Sequence, residues 1–178
     1  DKFFSEYNKI VAQILFNAED IEDVKRRENL TNTLNTLLKN GILPIINEND
    51  SVSYAEIESD KKVFGDNDTL SAIVAGFCEA SKLILLSDIE GLYDKDPRQN
   101  NDAKLIERVE KIDDDLKNTA SGAGSNRGTG GMITKLSAAE IATEKGIDMY
   151  IIHGEKPKKI YDILDNKSAG TMFVGKNN

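Results

Sequence analysis

Gly128-Thr129-Gly130-Gly131-Met132-Ile133-Thr134-Lys135 is the segment whose residue types most clearly point to chemistry. Three glycines and a threonine open what reads as a helix, and a lysine lies inside it. Glycine lets backbone N–H groups approach an anion closely, and a helix N-terminus adds positive partial charge. A lysine near that end can place a full charge on a transferring phosphoryl group. The segment is therefore expected to hold the phosphates of a nucleotide. It is not a Walker loop, because G-x-x-x-x-G-K-[ST] occurs nowhere in the chain. Nor is it the dinucleotide fingerprint: Gly122-Ala123-Gly124 would need a glycine at position 127, where Arg127 stands.

Three further polar clusters each follow an apolar run. The first is Asn47-Glu48-Asn49-Asp50. The second, Gly65-Asp66-Asn67-Asp68, leads into a helix start. The third is Ser87-Asp88, continued by Gly91-Leu92-Tyr93 and Asp96-Pro97-Arg98. Asn side chains both donate and accept, so Asn47 and Asn67 suit a carboxylate and an amine together, and Asp50 suits an ammonium. Asp68, placed between lysines, could orient them without touching substrate. A zwitterionic amino acid facing a nucleotide fits these groups. Tyr93, Asp96 and Arg98 either shape the nucleotide pocket or form a proline turn closed by an ion pair.

The elements that must position these residues alternate along the chain. Ile10–Phe16 reads as a buried strand, and Leu30, Leu34, Leu37 and Leu38 form a helical stripe that stops at Asn40-Gly41. Ile42–Ile46 is a second strand, and Val52–Phe64 a hairpin-like excursion. Asp66 to Asp68 cap a helix through Phe77. Lys82–Leu86 is the third strand and the most deeply apolar. Short strand and helix signals follow at Leu105–Val109 and Asp113–Thr119, before a glycine-rich stretch. Then come a helix ending at Lys145-Gly146, a strand Met149–Ile152, a helix Lys158–Leu164 and a last strand Thr171–Val174. Alternation of this kind predicts an α/β fold with a mostly parallel sheet and helices on both faces. In such a sheet ligands sit outside the carboxyl ends of the strands, where every polar cluster falls.

Composition narrows the function further. The 178 residues carry a net charge of −8 and 39% hydrophobic residues, an ordinary balance for one globular domain. An acidic chain argues against nucleic-acid or anionic-membrane partners. A lone Cys78 and a lone His153 leave no disulfide, no thiolate or histidine metal site and no Ser–His triad. Cys78 is expected as a buried thiol and His153 as a loop residue near the nucleotide. No apolar run approaches the length of a membrane span, and no signal peptide is visible, so the cytoplasm is the expected location.

The runs I-I-N-E-N-D, G-D-N-D, S-D-x-x-G-L-Y-x-x-D-P-R and G-T-G-G-M-x-T-K together resemble the amino acid kinase family, from about Val11 to Val174. N-E-N-D followed by G-D-N-D points to the branch whose acceptor is free L-glutamate. The resemblance implies a three-layer αβα sandwich around a mainly parallel sheet. It implies a single kinase domain over residues 1–178, lacking its N-terminal part and a second lysine, and followed by no RNA-binding-like domain. It also implies ATP and Mg²⁺ as cofactors, a dimer or tetramer, and feedback by proline. By motif, Asn47, Asp50 and Asn67 would hold the amino acid, and Asp68 would organise the catalytic lysines. Ser87, Asp88, Thr129, Gly130, Gly131, Met132 and Lys135 would meet the nucleotide, Lys135 stabilising charge on the transferring group. The alternatives are relatives acting on acetylglutamate, aspartate or a nucleoside monophosphate, and a non-catalytic amino-acid-sensing module.

Overall fold

The computed structural model describes residues 2–49, 66–122 and 129–176, with backbone only for 119–122, 129 and 130. The chain divides into two compact units, Asp1–Leu70 and Ser71–Asn178. The expected excursion after Asp50 and the glycine-rich stretch at 123–128 lie outside the described residues, as does Asp50 itself.

In the first unit, a short helix α1 (Lys2–Ser5) precedes β1 (Val11–Phe16), α2 (Ala18–Glu22), α3 (Val24–Lys39) and β2 (Leu43–Glu48). The two strands pair in parallel, from Val11 opposite Leu43 to Phe16 opposite Glu48. Asp23 caps α3 by accepting a bond from the Arg26 N–H at 2.8 Å, satisfying one of the donors a helix start leaves open. The helix ends where expected, at Asn40 and at Gly41 with φ +69°. Neither α1 nor α2 was anticipated, because four and five residues are too few to show an apolar period.

Helix α4 (Asn67–Phe77) opens on Asp66, whose carboxylate accepts from the Thr69 N–H at 2.8 Å. Then come β3 (Lys82–Ser87), β4 (Arg108–Val109), α5 (Asp114–Gly122), α6 (Thr129–Glu144), β5 (Asp148–His153), α7 (Lys159–Leu164) and β6 (Thr171–Phe173). Four strands form one sheet in the order β3-β5-β6-β4. β3 pairs with β5 in parallel, as does β4 with β6, but β6 runs antiparallel to β5.

Successive residues of β5 divide the core of the second unit. Met149 and Ile151 pack with α4 residues Ala72 and Ala75, α6 residues Leu136, Ala138, Ala139 and Ala142, and Phe173. Tyr150 and Ile152 pack on the other face with Ile163 of α7 and Ala169. That period of two puts helices on both faces, giving the second unit three layers. The methyl side chains of Ala138, Ala139 and Ala142 keep the inner face of α6 slim where it packs in this core. The most deeply buried strand is β5 rather than β3: Met149 to Ile152 are all buried, whereas Leu86 of β3 is 53% exposed. β3 stands at the end of the four-stranded sheet, so among the described residues it has a strand neighbour on one side only.

Candidate active site

β3 and β5 start together, Lys82 opposite Asp148, and end together, Ser87 opposite His153. Their carboxyl ends therefore form one rim of the second unit. The Gly154 N–H donates to the Ser87 carbonyl at 2.7 Å and extends this pairing past the strands. α6 enters β5 through the turn at Gly146, φ +75°, and so runs back antiparallel to the strand. Its 16 residues reach about 24 Å, against about 20 Å for the six residues of β5.

Thr129, Gly130, Gly131 and Met132 make that first turn. Their backbone N–H groups are those a helix leaves without intrahelical partners. A side-chain carbon built on Gly131 would meet nothing within 4 Å, so the space beside the turn is open. Lys135 is half-buried and lies four residues after Gly131, on the same helix face. The second unit thus holds both groups of candidates, Ser87 at the end of β3 with Asp88 after it, and the start of α6 with Lys135 one turn inside it.

The Ser87 hydroxyl donates to Asp88 at 3.1 Å, and the Arg98 guanidinium lies 3.6 Å from the Asp88 carboxylate. Asp96 instead accepts from the Arg98 backbone N–H at 2.9 Å. The proline turn is thus closed by an aspartate–backbone bond, and the arginine reaches across to Asp88. His153 ends β5 half-buried, its Nδ1 accepting from the Glu155 N–H at 3.2 Å. Cys78 is half-buried just beyond α4, and burial pushes its thiol pKa up, away from nucleophile behaviour.

The first unit carries the other candidates. Asn47 is exposed near the end of β2, opposite Leu15, and Glu48 follows, half-buried, opposite Phe16. The Asn49 N–H donates to the Phe16 carbonyl at 3.1 Å. Asn67 and Asp68 form the first turn of α4, Asn67 exposed and Asp68 half-buried.

Three residues were not anticipated. Thr171, wholly buried, accepts from the Leu92 N–H and donates to the Ile106 carbonyl, both at 2.7 Å. Lys156 forms an ion pair with Glu90, which drives the Glu90 carboxyl below the usual carboxylate range and lifts the Lys156 ammonium. Gly170-Thr171 ahead of an apolar run was the one signal in the sequence. The Glu90–Lys156 contact left none, because its partners stand 66 residues apart.

Among the described residues, no helix is long and apolar enough to cross a membrane. Comparison with known proteins agrees with the geometry. The chain is 52% identical over 176 residues to a glutamate 5-kinase of Clostridium perfringens, covering 99% of this chain and 65% of that protein. It is 47% identical over 174 residues to one from Haemophilus influenzae, covering 98% of this chain and 46% of that protein. The chain thus spans less than two thirds of the length of these relatives. A crystal structure of UMP kinase from Ureaplasma parvum shares the fold at TM-score 0.61 and 17% identity, covering 97% of this chain and 63% of that one. An isopentenyl phosphate kinase of T. acidophilum does so at TM-score 0.59 and 17% identity, over 97% and 63%. The profile of the amino acid kinase family matches residues 1–153, and the chain belongs to that family.

Proposed function

We propose that the intact protein transfers the γ-phosphoryl group of ATP to the side-chain carboxylate of L-glutamate, giving L-glutamyl 5-phosphate, the first step of a route to proline. The observation that carries this reading is the 52% identity to a glutamate 5-kinase across nearly the whole chain. The solved structures of lower identity support the fold alone.

The chemistry sets the design. A glutamate side chain has an unperturbed pKa of about 4.3, so the acceptor is already ionised at neutral pH and needs no general base. The difficulty is bringing an anion to a polyanion, and catalysis reduces to positioning and charge neutralisation. In this proposal Asn47, Asp50 and Asn67 hold the amino acid. Ser87, Asp88 and the first turn of α6 hold the nucleotide. Lys135 meets the transferring phosphoryl group, and Asp68 organises lysines around it. The two compact units act as parts of one kinase domain.

Among the described residues, no three His, Cys, Asp or Glu side chains are grouped to hold a metal ion. The proposal has Mg²⁺ enter on the nucleotide and take its ligands largely from phosphate and water, where it would supply charge neutralisation. Self-association and feedback by proline belong to the same proposal, and sedimentation and calorimetry with proline test them. The cytoplasm, where ATP and glutamate are both supplied, is the proposed location.

The test is ADP release by the intact protein with each candidate acceptor. Glutamate is expected to support turnover, and acetylglutamate, aspartate and UMP are not. Turnover with one of the others and none with glutamate would overturn the acceptor assignment. Glutamate binding without ATP turnover would identify a sensing module instead.

A further inference from the structure

Glu90, Gly91 and Leu92, which join the Ser87-Asp88 rim to Tyr93, are fastened from beneath. The Thr171 hydroxyl, at the start of β6, accepts from the Leu92 N–H and donates to the Ile106 carbonyl, each at 2.7 Å. The bond from the Leu92 N–H is short for its type, the bond to the Ile106 carbonyl is of ordinary O–H···O length, and Thr171 has no exposed surface. Gly91 lies so close that an added side-chain carbon would stand 2.4 Å from the Thr171 hydroxyl oxygen. The neighbouring Gly170, φ +62°, is equally tight: a carbon there would stand 2.0 Å from the Ile151 carbonyl and 2.9 Å from the Glu90 carbonyl. Two glycines and one hydroxyl thus let the loop after β3 sit directly on the start of β6. The Glu90–Lys156 ion pair adds a second fastening on the outer side, joining the same loop to the one after β5.

These two fastenings differ in weight. The ion pair is solvent-exposed, where such pairs contribute little. The hydroxyl is buried, and its removal strands a buried donor and a part-buried acceptor. We propose that Thr171 is a positioning residue for the nucleotide side of the site: its hydroxyl sets the height of the Gly91–Leu92 segment and so the placement of Ser87 and Asp88 before it and Tyr93 after it. This deepens the nucleotide reading given above and rests on it. Thr171 reaches the rim through Gly91, Leu92 and Ile106 and not by touching Ser87 or Asp88 through a hydrogen bond of its own.

Thr171→Val keeps the shape but replaces the oxygen with a methyl group. A methyl group cannot accept from an N–H at 2.7 Å and needs about 3.5 Å to its neighbour. The loop must rise by roughly 0.8 Å, and displacements near 1 Å in a site cost up to about 10² in rate. Thr171→Ser keeps the hydroxyl and loses only the methyl.

The experiment compares the intact protein with its Thr171→Val and Thr171→Ser variants. It measures KM for ATP and for glutamate, together with hydrogen exchange of the Leu92 amide. Thr171→Val is expected to raise KM for ATP about tenfold, leave KM for glutamate within twofold and speed Leu92 exchange. Thr171→Ser is expected to restore both. If Thr171→Val lowers thermal stability yet leaves KM for ATP within twofold, the residue is structural only and the positioning role is overturned. If Thr171→Val fails to fold, Thr171→Ser decides: KM for ATP within twofold of wild type supports the role, and a tenfold rise overturns it. If the wild-type protein itself turns over no ATP with glutamate, the functional reading has failed instead. The fastening then stands or falls on Leu92 exchange, supported by fast exchange in Thr171→Val alone and overturned by equal exchange in all three proteins.

Discussion

The two compact units differ in how they bury apolar surface. In residues 71–178, β5 has a core on each of its faces, with Met149, Ile151 and Ile152 wholly buried. In residues 1–70, the described buried hydrophobic side chains are Phe16, Leu34 and Leu70, while Leu15, Leu43 and Ile45 on β1 and β2 are each more than 40% exposed. A sheet of two strands is marginal without further cover, whereas four strands between helix layers sustain themselves. Burial among the described residues is therefore concentrated around β5, in the unit where the nucleotide is proposed to bind. The side carrying Asn47 rests on fewer buried contacts.

The largest expected effect tests whether the second unit carries the chemistry. Lys135→Ala is expected to lower kcat by about 10²–10³, the typical loss when one charge-stabilising donor is removed. Near-normal turnover in single-turnover kinetics would take Lys135 out of the mechanism. Next comes the difference in packing. Ile151→Ala is expected to destabilise the fold by about 2–5 kcal/mol, and Ile45→Ala by only about 0.5 kcal/mol. Equal losses in denaturant titrations would erase the contrast between the units. A smaller effect belongs to the cap of α4: Asp66→Ala is expected to cost about 1 kcal/mol by the same titration.

The smallest effect concerns the Glu90–Lys156 pair. Glu90 has a depressed carboxyl pKa, so its contribution is present above the unfolded value, about 4.3, and is lost as pH falls through the folded value. Lys156 is raised, so its contribution is present below about 10.4 and is lost as pH rises through the folded value. Glu90→Gln should therefore differ from wild type by a small, constant amount from about pH 5 to pH 9, within twofold in KM for ATP. A difference that changes steeply within that range would assign the titration to another group.

Much of this fold was legible from periodicity. β1, α3, β2, α6, β5 and α7 announced themselves by apolar spacing and by stops such as Asn40-Gly41 and Lys145-Gly146. The ranking of the strands was not legible, because the apolar run of β3 does not reveal that it stands at the end of the four-stranded sheet. The antiparallel entry of β6 was hidden for the same reason: it depends on the connection around Gly170, not on β6 itself. The candidate site residues were visible as residue types at strand ends. Thr171 was visible only as a strand residue, because its role depends on Leu92 and Ile106, 79 and 65 positions away. Arg98 was read either as shaping the nucleotide pocket or as closing its own turn by an ion pair, and it reaches Asp88, a partner that local spacing does not indicate.

The central claim assigns the two ligands to different units, and paired kinetics on Asp88→Asn and Asn47→Ala in the intact protein tests it most directly. Asp88→Asn is expected to raise KM for ATP and spare glutamate, and Asn47→Ala to raise KM for glutamate and spare ATP. If both variants weaken both substrates equally, or if their selectivities are exchanged, the assignment of glutamate to Asn47 and of ATP to Asp88 is contradicted.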